Sequence, residues 1–354
     1  SANIAQATEN VFLKGNLTPT GDVADTAEVI QSDVLTDSTF ERPDASATVQ
    51  GAAGVPDVDA ASTAAAVVNA TGGNLDEGDY EYVFTFEDDL GNETLASSAI
   101  SRSIDAADAQ ADIQLNNLPS STDFSTLNIY RREGGSGTYG LVDSTTPGGS
   151  FTDDQAATGA TLDQTSLDGR YSYLVTFSGA GVPETTPSQL LGPQTVVNER
   201  FYLEDLPQPT DPAYDTINIY RNVASSPDDY YLVDEVAAGG PDDFVDGHSD
   251  ADISDSSSPD YRELDMDGPK IDNATLLTDI RRRIGLEYEQ VFEEGELSYT
   301  GRKGDSVLTE KTLTIDGSTT VSDFLQFLED SSGIQVSASG SPNPIPDSEN
   351  NIPG

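Results

Sequence analysis

The stretch GDYEYVFTFEDDLGNETLAS, residues 78–97, returns 91 positions later (169 − 78) as GRYSYLVTFSGAGVPETTPS, residues 169–188. Farther along, NIYRR at 128–132 matches NIYRN at 218–222, so the similarity extends through most of a period of about ninety residues. Such a period is too long for the unit of a solenoid, but it suits a β-sandwich module of roughly 100 residues. The sequence therefore predicts two related β modules.

Alternation within each copy predicts the strands. Aromatic and apolar side chains occupy every second position of one run in each copy, and a second run ends in Tyr-Arg. Gly, Asn, Pro and Asp separate the runs, as expected of turns. The tyrosines are interpreted as sandwich core and strand residues rather than as a ligand platform. The alternating residues are Tyr80, Tyr82, Phe84 and Phe86, then Leu127 and Ile129, and in the second copy Tyr171, Tyr173, Val175 and Phe177, then Ile217 and Ile219.

The order YxYxxTF, ETxxS, LxxLP, IxIYR and YxLV in each copy resembles the fibronectin type III and Ig-like modules of bacterial and phage surface proteins. The core tryptophan of that superfamily is absent, since the chain contains no Trp. The resemblance implies two tandem antiparallel β-sandwiches, at residues 55–160 and 161–256.

Residues 272–334 predict a smaller α+β element. Leu276, Leu277, Ile280 and Ile284 follow Asn273, a good N-cap residue, at helical spacing. A hairpin is then predicted from LSYTG and EKTLTID around a turn-rich RKGD.

A second helix is predicted after this hairpin. Val321, Phe324, Leu325 and Leu328 form one apolar stripe. Thr320 and Asp323 stand at the spacing of a capping box, and Gly333 is a plausible stop.

The run ATLLTDIR at 274–281, the GRKGD turn and the run from 312 to 334 together resemble the middle region of bacterial flagellar hook proteins, especially the planctomycete type. Residues 7–35 resemble the segment that precedes this region in the same family, although more than two hundred residues separate the two stretches here. The resemblance covers 1–35 and 273–334. It implies a discontinuous hook-type outer domain, interrupted by the two sandwiches.

The expected fold is thus mainly β with an α+β part. The expected domains are 1–54 plus 268–354 for the outer domain, 55–160 and 161–256 for the sandwiches, and 257–267 for an acidic linker. The chain begins without Met and ends in a Pro/Asn/Ser-rich tail, and we expect a fragment of a longer protein.

Composition disfavours several classes of function. The 63 acidic residues against 16 Lys and Arg give a net charge of −47, which would repel nucleic acid and is typical of proteins from saline surroundings. The absence of Cys excludes disulfides, thiolate zinc sites and Cys nucleophiles. No apolar run approaches the ~18 residues of a membrane span, and residues 1–6 do not resemble a signal peptide.

Four features of the sequence are candidate sites. His248, the lone histidine, is expected in a solvated loop, and the acidic run 241–255 is read as solvated linker in preference to a calcium site. Residues 281–283, the only basic cluster, are expected near the C-terminal end of their helix. Residues 301–305 are interpreted as a hairpin turn. We therefore expect no catalytic, cofactor-binding or metal-binding residues, no cofactor and no enzymatic activity.

The resemblance implies a structural subunit of the flagellar hook, the flexible joint that passes motor torque to the filament. It would be exported unfolded to the cell exterior, and its partners would be copies of itself in a helical homopolymer, the hook cap and the hook–filament junction proteins. The fragment alone is expected to be monomeric, without nucleic acid or membrane insertion. The alternative is a cell-surface adhesin, or a phage tail or virion protein, that binds glycans or a receptor through its sandwiches.

Overall fold

The computed structural model describes residues 3–7, 10–14, 35–38, 42–43, 47–51, 55–58, 63–68, 72–108, 110–303 and 306–332. The chain divides into two compact units. One comprises 1–42, 183–186 and 265–354, and the other comprises 43–182 and 187–264. Strand accounts for 46% of the residues described and helix for 7%, so the predicted mainly-β class with sandwich-like domains is confirmed.

The elements of the described residues follow in chain order. Strands up to the end of the first sandwich are β1 Asn3–Ala7, β2 Asn10–Lys14, β3 Leu35–Asp37, β4 Thr48–Gly51, β5 Ala64–Val68, β6 Gly78–Glu87, β7 Ile100–Ile104, β8 Asp112–Asn116, β9 Thr126–Glu133, β10 Gly140–Thr145 and β11 Ser150–Asp153. The second sandwich continues with β12 Leu167–Ser178, β13 Leu191–Glu199, β14 Phe201–Glu204, β15 Thr216–Val223, β16 Ser226–Ala237, β17 Phe244–Asp246 and helix α1 Asp250–Ile253. The remaining elements are a 3-10 turn Leu277–Asp279, β18 Ile280–Ile284, β19 Glu287–Gln290, β20 Gly295–Tyr299, β21 Arg302–Lys303, β22 Ser306–Val307, β23 Lys311–Ile315 and helix α2 Val321–Ser332.

The first sandwich packs a four-stranded sheet, in the order β10-β9-β6-β7, against a three-stranded sheet, in the order β11-β8-β5. All of these pairings are antiparallel. The predicted alternation in β6 is confirmed, because Tyr80, Tyr82, Phe84 and Phe86 are all buried in one core. Val83 and Thr85 are buried as well, so β6 is covered on both of its faces.

The second sandwich has the same design, with one difference in chain path. Its sheets are β13-β12-β15-β16 and β17-β14-β4. The strand β4 precedes the whole first sandwich in sequence, yet it pairs antiparallel with β14, from Phe201 opposite Gly51 to Glu204 opposite Thr48. The two sandwiches are therefore nested: the first is inserted after the first strand of the second. Residues 48–51, assigned to the outer domain from sequence, belong to the second sandwich by this pairing.

The other unit holds the α+β element. Its described strands form the hairpin β1-β2, the sheet β19-β18-β3 and the hairpin β20-β23, with β21 and β22 pairing beyond the last. The predicted hairpin is thus confirmed. Leu277, Ile280 and Ile315 are buried at its centre, and Phe292 and Phe324 pack against them with ring centroids 5.3 Å apart.

The predicted first helix is wrong. Residues 280–284 are strand β18, paired with β3 on one side and β19 on the other. Ile280 and Ile284 lie four residues apart, a spacing that suits one face of a helix and also one face of a strand. The strand forms because it has partners on both sides, and tertiary pairing of this kind overrides local spacing.

The predicted second helix is confirmed as α2, together with its capping box. The Thr320 backbone N–H donates to Asp323 Oδ2 (2.9 Å), and the Asp323 N–H donates back to Thr320 Oγ1 (3.2 Å). The stripe is shifted from the prediction: Phe327 is buried, whereas Leu325 is 52% exposed. Gly333 lies outside the described residues.

Replacing Thr320 by alanine should destabilise α2 by about 1 kcal/mol, because an N-cap hydroxyl satisfies a helix N–H that otherwise lacks a partner. Hydrogen exchange of residues 321–332 would then speed up roughly fivefold. Ser322→Ala, at an exposed position of the same turn, is the matched control and should change little. Equal exchange in the two variants would contradict a stabilising cap.

Candidate functional site

Each sandwich contains a buried cluster of one Arg, one Asp and two Tyr, which we call the charged core cluster. In the first sandwich Arg131 Nη1 lies 2.7 Å from Asp153 Oδ2, and Tyr82 donates its hydroxyl to the same oxygen at 2.6 Å. The Arg131 guanidinium stands 5.5 Å from the ring centroid of Tyr80. The Arg131 and Asp153 side chains are 1% and 0% exposed, so this ion pair is out of water.

The second sandwich repeats this arrangement and enlarges it. Arg221 Nη1 lies 2.5 Å from Asp246 Oδ2, which also accepts the Tyr173 hydroxyl at 2.7 Å. The Arg221 guanidinium lies 5.0 Å from the ring centroid of Tyr171. A second carboxylate, Asp250 Oδ1, accepts from Arg221 Nη2 at 3.1 Å.

The electrostatics of the second cluster keep it ionised. Burial disfavours the charged form of Asp246, but the Arg221 guanidinium and its hydrogen bonds outweigh burial and lower the pKa of Asp246 to about 2. Burial, together with the nearby Asp246 carboxylate, raises the pKa of Tyr173 well above its usual value. The tyrosine therefore remains a neutral donor to a fixed carboxylate.

His248 lies in a loop and is partly exposed, as expected, but it stands beside the second cluster rather than in open solvent. Its side chain is 38% exposed, with Nδ1 3.5 Å from Asp246 Oδ1 and its ring stacked on Phe244 at 6.5 Å. The Asp246 carboxylate raises the pKa of His248 more than burial lowers it.

The raised pKa of His248 determines how its contribution to stability depends on pH. Because the folded-state pKa of His248 is raised, its stabilising contribution is fully present below pH 6.5 and is lost as pH rises through the folded value. We expect the difference in Tm between the wild type and His248→Gln to be largest near pH 6 and to shrink toward pH 9. Thermal unfolding of both proteins across that range measures it, and a difference that grows with pH would contradict the assignment.

The segment that follows the last strand differs between the sandwiches. In the first, eight residues lead from Asp153 to Thr161 (161 − 153), which bridges Gly140 on β10. In the second, seventeen residues lead from Asp246 to Glu263 (263 − 246), which bridges Tyr231 on β16. The nine additional residues include α1. The acidic run 241–255 is therefore not a linker: it contains β17 and α1.

These additional residues enclose a cleft of about 570 Å³ against β16. Its lining includes carboxylates and Arg262, which donates to Tyr220 Oη (2.7 Å) and Glu235 Oε1 (2.8 Å). The ionisable lining residues include Asp234, Glu235, His248, Asp252, Tyr261 and Arg262. The cleft is the candidate ligand-facing surface of the second sandwich. Across the described parts of the chain, His, Cys, Asp and Glu side chains nowhere gather in a group of three that could hold a metal ion.

The basic cluster 281–283 lies on strand β18 and not at a helix end, so that expectation is wrong. Arg281 Nη1 donates to the Thr278 carbonyl at 2.7 Å, and Arg283 Nε lies 3.2 Å from Asp267 Oδ1. Within the predicted turn at 301–305, Arg302 and Lys303 form strand β21, which pairs with β22. Residues 304 and 305 lie outside the described residues.

Asp153 and Asp246 were not singled out from the sequence. The signal was present: aspartates in FTDD and FVDG stand at matching places of the repeat, each behind an aligned Tyr-Arg pair.

No family model matches this chain, and a search of curated proteins also returned no match. Among the residues described, none of the helices has the length and apolar character that crossing a bilayer requires.

Proposed function

We propose that this chain is the outward-facing part of a bacterial flagellar hook subunit, with a structural rather than a catalytic role. The two hook-like stretches lie on either side of the inserted sandwiches in sequence. If these two stretches belonged to separate domains, they would not match the single outer domain of a hook protein. The proposal therefore depends on whether the chain on the two sides of the insertion forms one domain.

The pairing of β3 with β18 is the observation that carries the proposal. Ile280 lies opposite Asp37, and Arg282 lies opposite Leu35. Two hydrogen bonds extend this contact: Thr275 Oγ1 donates to the buried Asp37 Oδ2 (2.9 Å), and the Ser38 N–H donates to the Asp279 carbonyl (2.9 Å). Thr275 and Asp279 belong to the ATLLTDIR run. This pairing supports a discontinuous domain that closes around an insertion.

On this proposal the sandwiches decorate the outside of the hook. Exposed loops are where a compact domain tolerates insertions of this size. A strongly negative surface keeps such decoration soluble in salty surroundings. The partners would be further copies of the subunit and the proteins at each end of the hook.

The alternative, an adhesin or tail protein, is favoured by one observation: the cleft of the second sandwich. A concave surface lined by carboxylates, an arginine and a tyrosine offers hydrogen-bonding groups of the kind that bind sugar hydroxyls. The first sandwich has a shorter closing segment without α1. The longer segment that forms the cleft is therefore a feature of the second sandwich.

Immunogold electron microscopy on motile cells of the source organism distinguishes the two functions. The antibody is raised against residues 78–247, and cells with the gene deleted are the control. Label confined to the short curved segment between cell body and filament is the expected result. Label spread over the cell surface, or on no flagellar part, would overturn the hook proposal and support the alternative.

A further inference from the structure

The nested chain path attaches the first sandwich to the second at both of its ends. The chain passes from β4 of the second sandwich into β5, and it returns from β11 into β12 of the second sandwich. Two covalent connections restrict rotation more than the single linker of consecutive modules. Whether the two sandwiches move independently then depends on the contacts between them.

Arg200 makes the first of these contacts. It stands between β13 and β14 of the second sandwich and is 5% exposed. Its Nη1 donates to the carbonyl of Glu93 in the first sandwich (2.5 Å). Its Nε donates to the Thr165 carbonyl (2.8 Å), and Nη2 reaches Asp163 Oδ2 (2.9 Å), both in the connecting segment. One buried guanidinium thus ties three parts of the chain together.

Asp88 makes the second contact in the opposite direction. It follows β6 of the first sandwich, is 6% exposed, and accepts the Val245 N–H of β17 at Oδ2 (2.8 Å). Its Oδ1 accepts the N–H groups of Leu90 (2.9 Å) and Asn92 (2.8 Å), which fixes the carboxylate in its own loop. A charge-assisted bond to a backbone donor is among the stronger hydrogen bonds.

Aromatic packing makes the third contact. Tyr202 of β14 is 3% exposed, and its ring lies 5.0 Å from that of Phe124 in the first sandwich. Phe124 in turn stacks on Phe86 at 5.4 Å. Tyr202 and Val245 are buried in the same apolar cluster as the strands of the first sandwich. The core of the first sandwich therefore continues into the second.

We propose that the two sandwiches form one rigid, cooperatively folding arm, in which the second sandwich holds the first by two chain connections and by the contacts of Arg200, Asp88 and Tyr202. The first sandwich then does not move independently of the second, as a module on a flexible linker would. This inference does not depend on the hook assignment and holds equally for an adhesin. A force applied to one sandwich by a binding partner would be transmitted to the other, because no flexible hinge separates them.

Amide relaxation by NMR on the full chain tests rigidity in the folded state. In the wild type, amides of β6 and β9 should give the same rotational correlation time as amides of β12 and β15. Different values for the two sandwiches would overturn the proposal.

Hydrogen exchange of the full chain in increasing denaturant tests cooperativity. In the wild type, the slowest amides of both sandwiches should lose protection together. In Arg200→Ala, protection of the first sandwich should fall at least tenfold relative to the second. Arg132→Ala is the matched control, because Arg132 Nε donates to Glu81 of its own sandwich and its guanidinium lies over Tyr139; its two sandwiches should still open together.

Asp88→Ala provides a second variant in case Arg200→Ala does not fold, and the same separation is expected from it. Loss of protection at different denaturant concentrations in the wild type would overturn the proposal. So would coincident loss in both Arg200→Ala and Asp88→Ala.

Discussion

Replacing Arg221 by alanine is expected to lower the free energy of unfolding by about 3–5 kcal/mol, because it leaves the Asp246 carboxylate buried without its counter-charge. Both side chains of this pair are 0% exposed. The variant also removes the guanidinium from the face of Tyr171 and a donor from Asp250. Chemical denaturation of the full chain, followed by tyrosine fluorescence, measures the loss.

Glu235→Gln is the control for this experiment. Glu235 pairs with Arg262 but is 49% exposed, so removing its charge should cost under about 1 kcal/mol. A comparably small loss in Arg221→Ala would show that water or rearrangement compensates Asp246, and would contradict a closed charged core cluster.

Phe201→Ala should destabilise the second sandwich by a similar amount, about 3–5 kcal/mol, since truncating a buried aromatic leaves a cavity. Phe201 is 0% exposed and packs edge-on against Tyr171 (5.8 Å) and Tyr173 (5.5 Å) from the facing sheet. It also lies in β14, the strand that pairs with both β17 and β4. The loss is read from denaturant midpoints at constant m-value.

Val197→Ala serves as the comparison, because Val197 is on neighbouring β13 and is 63% exposed. It should change stability by less than about 0.5 kcal/mol. If the two variants were equally stable, Phe201 could not be the aromatic centre of this sandwich core.

Much of the sandwich core was predictable because alternation is a local property. Tyr80 to Phe86 and Tyr171 to Phe177 each show this alternation within one run. Because the same alternation occurs in both copies of the repeat, each copy strengthens the prediction for the other. The Tyr-Arg pairs of β9 and β15 were also visible as a motif, although both strands continue beyond them to Glu133 and Val223.

The features that could not be predicted from the sequence are those that depend on residues distant in the chain. Thr48–Gly51 is a short polar run whose partner strand begins 150 residues later (201 − 51), so its pairing leaves no local pattern. Residues 280–284 were read as helix because the spacing of Ile280 and Ile284 is ambiguous, and only β3 and β19 decide between the alternatives. Asp153 and Asp246 are isolated carboxylates in a chain rich in them until the fold brings an arginine to each.

The position of β4 has a consequence for biosynthesis. A ribosome adds about 5–20 residues per second, so after Gly51 is made roughly 8–30 s pass before Phe201 is added to the chain. During that interval all strands from β5 to β11 are completed. Tyr202 and Val245, which belong to the same apolar cluster as those strands, are added only afterwards. The first sandwich, although complete in its own strands, therefore acquires its last core residues only when the second sandwich is synthesised.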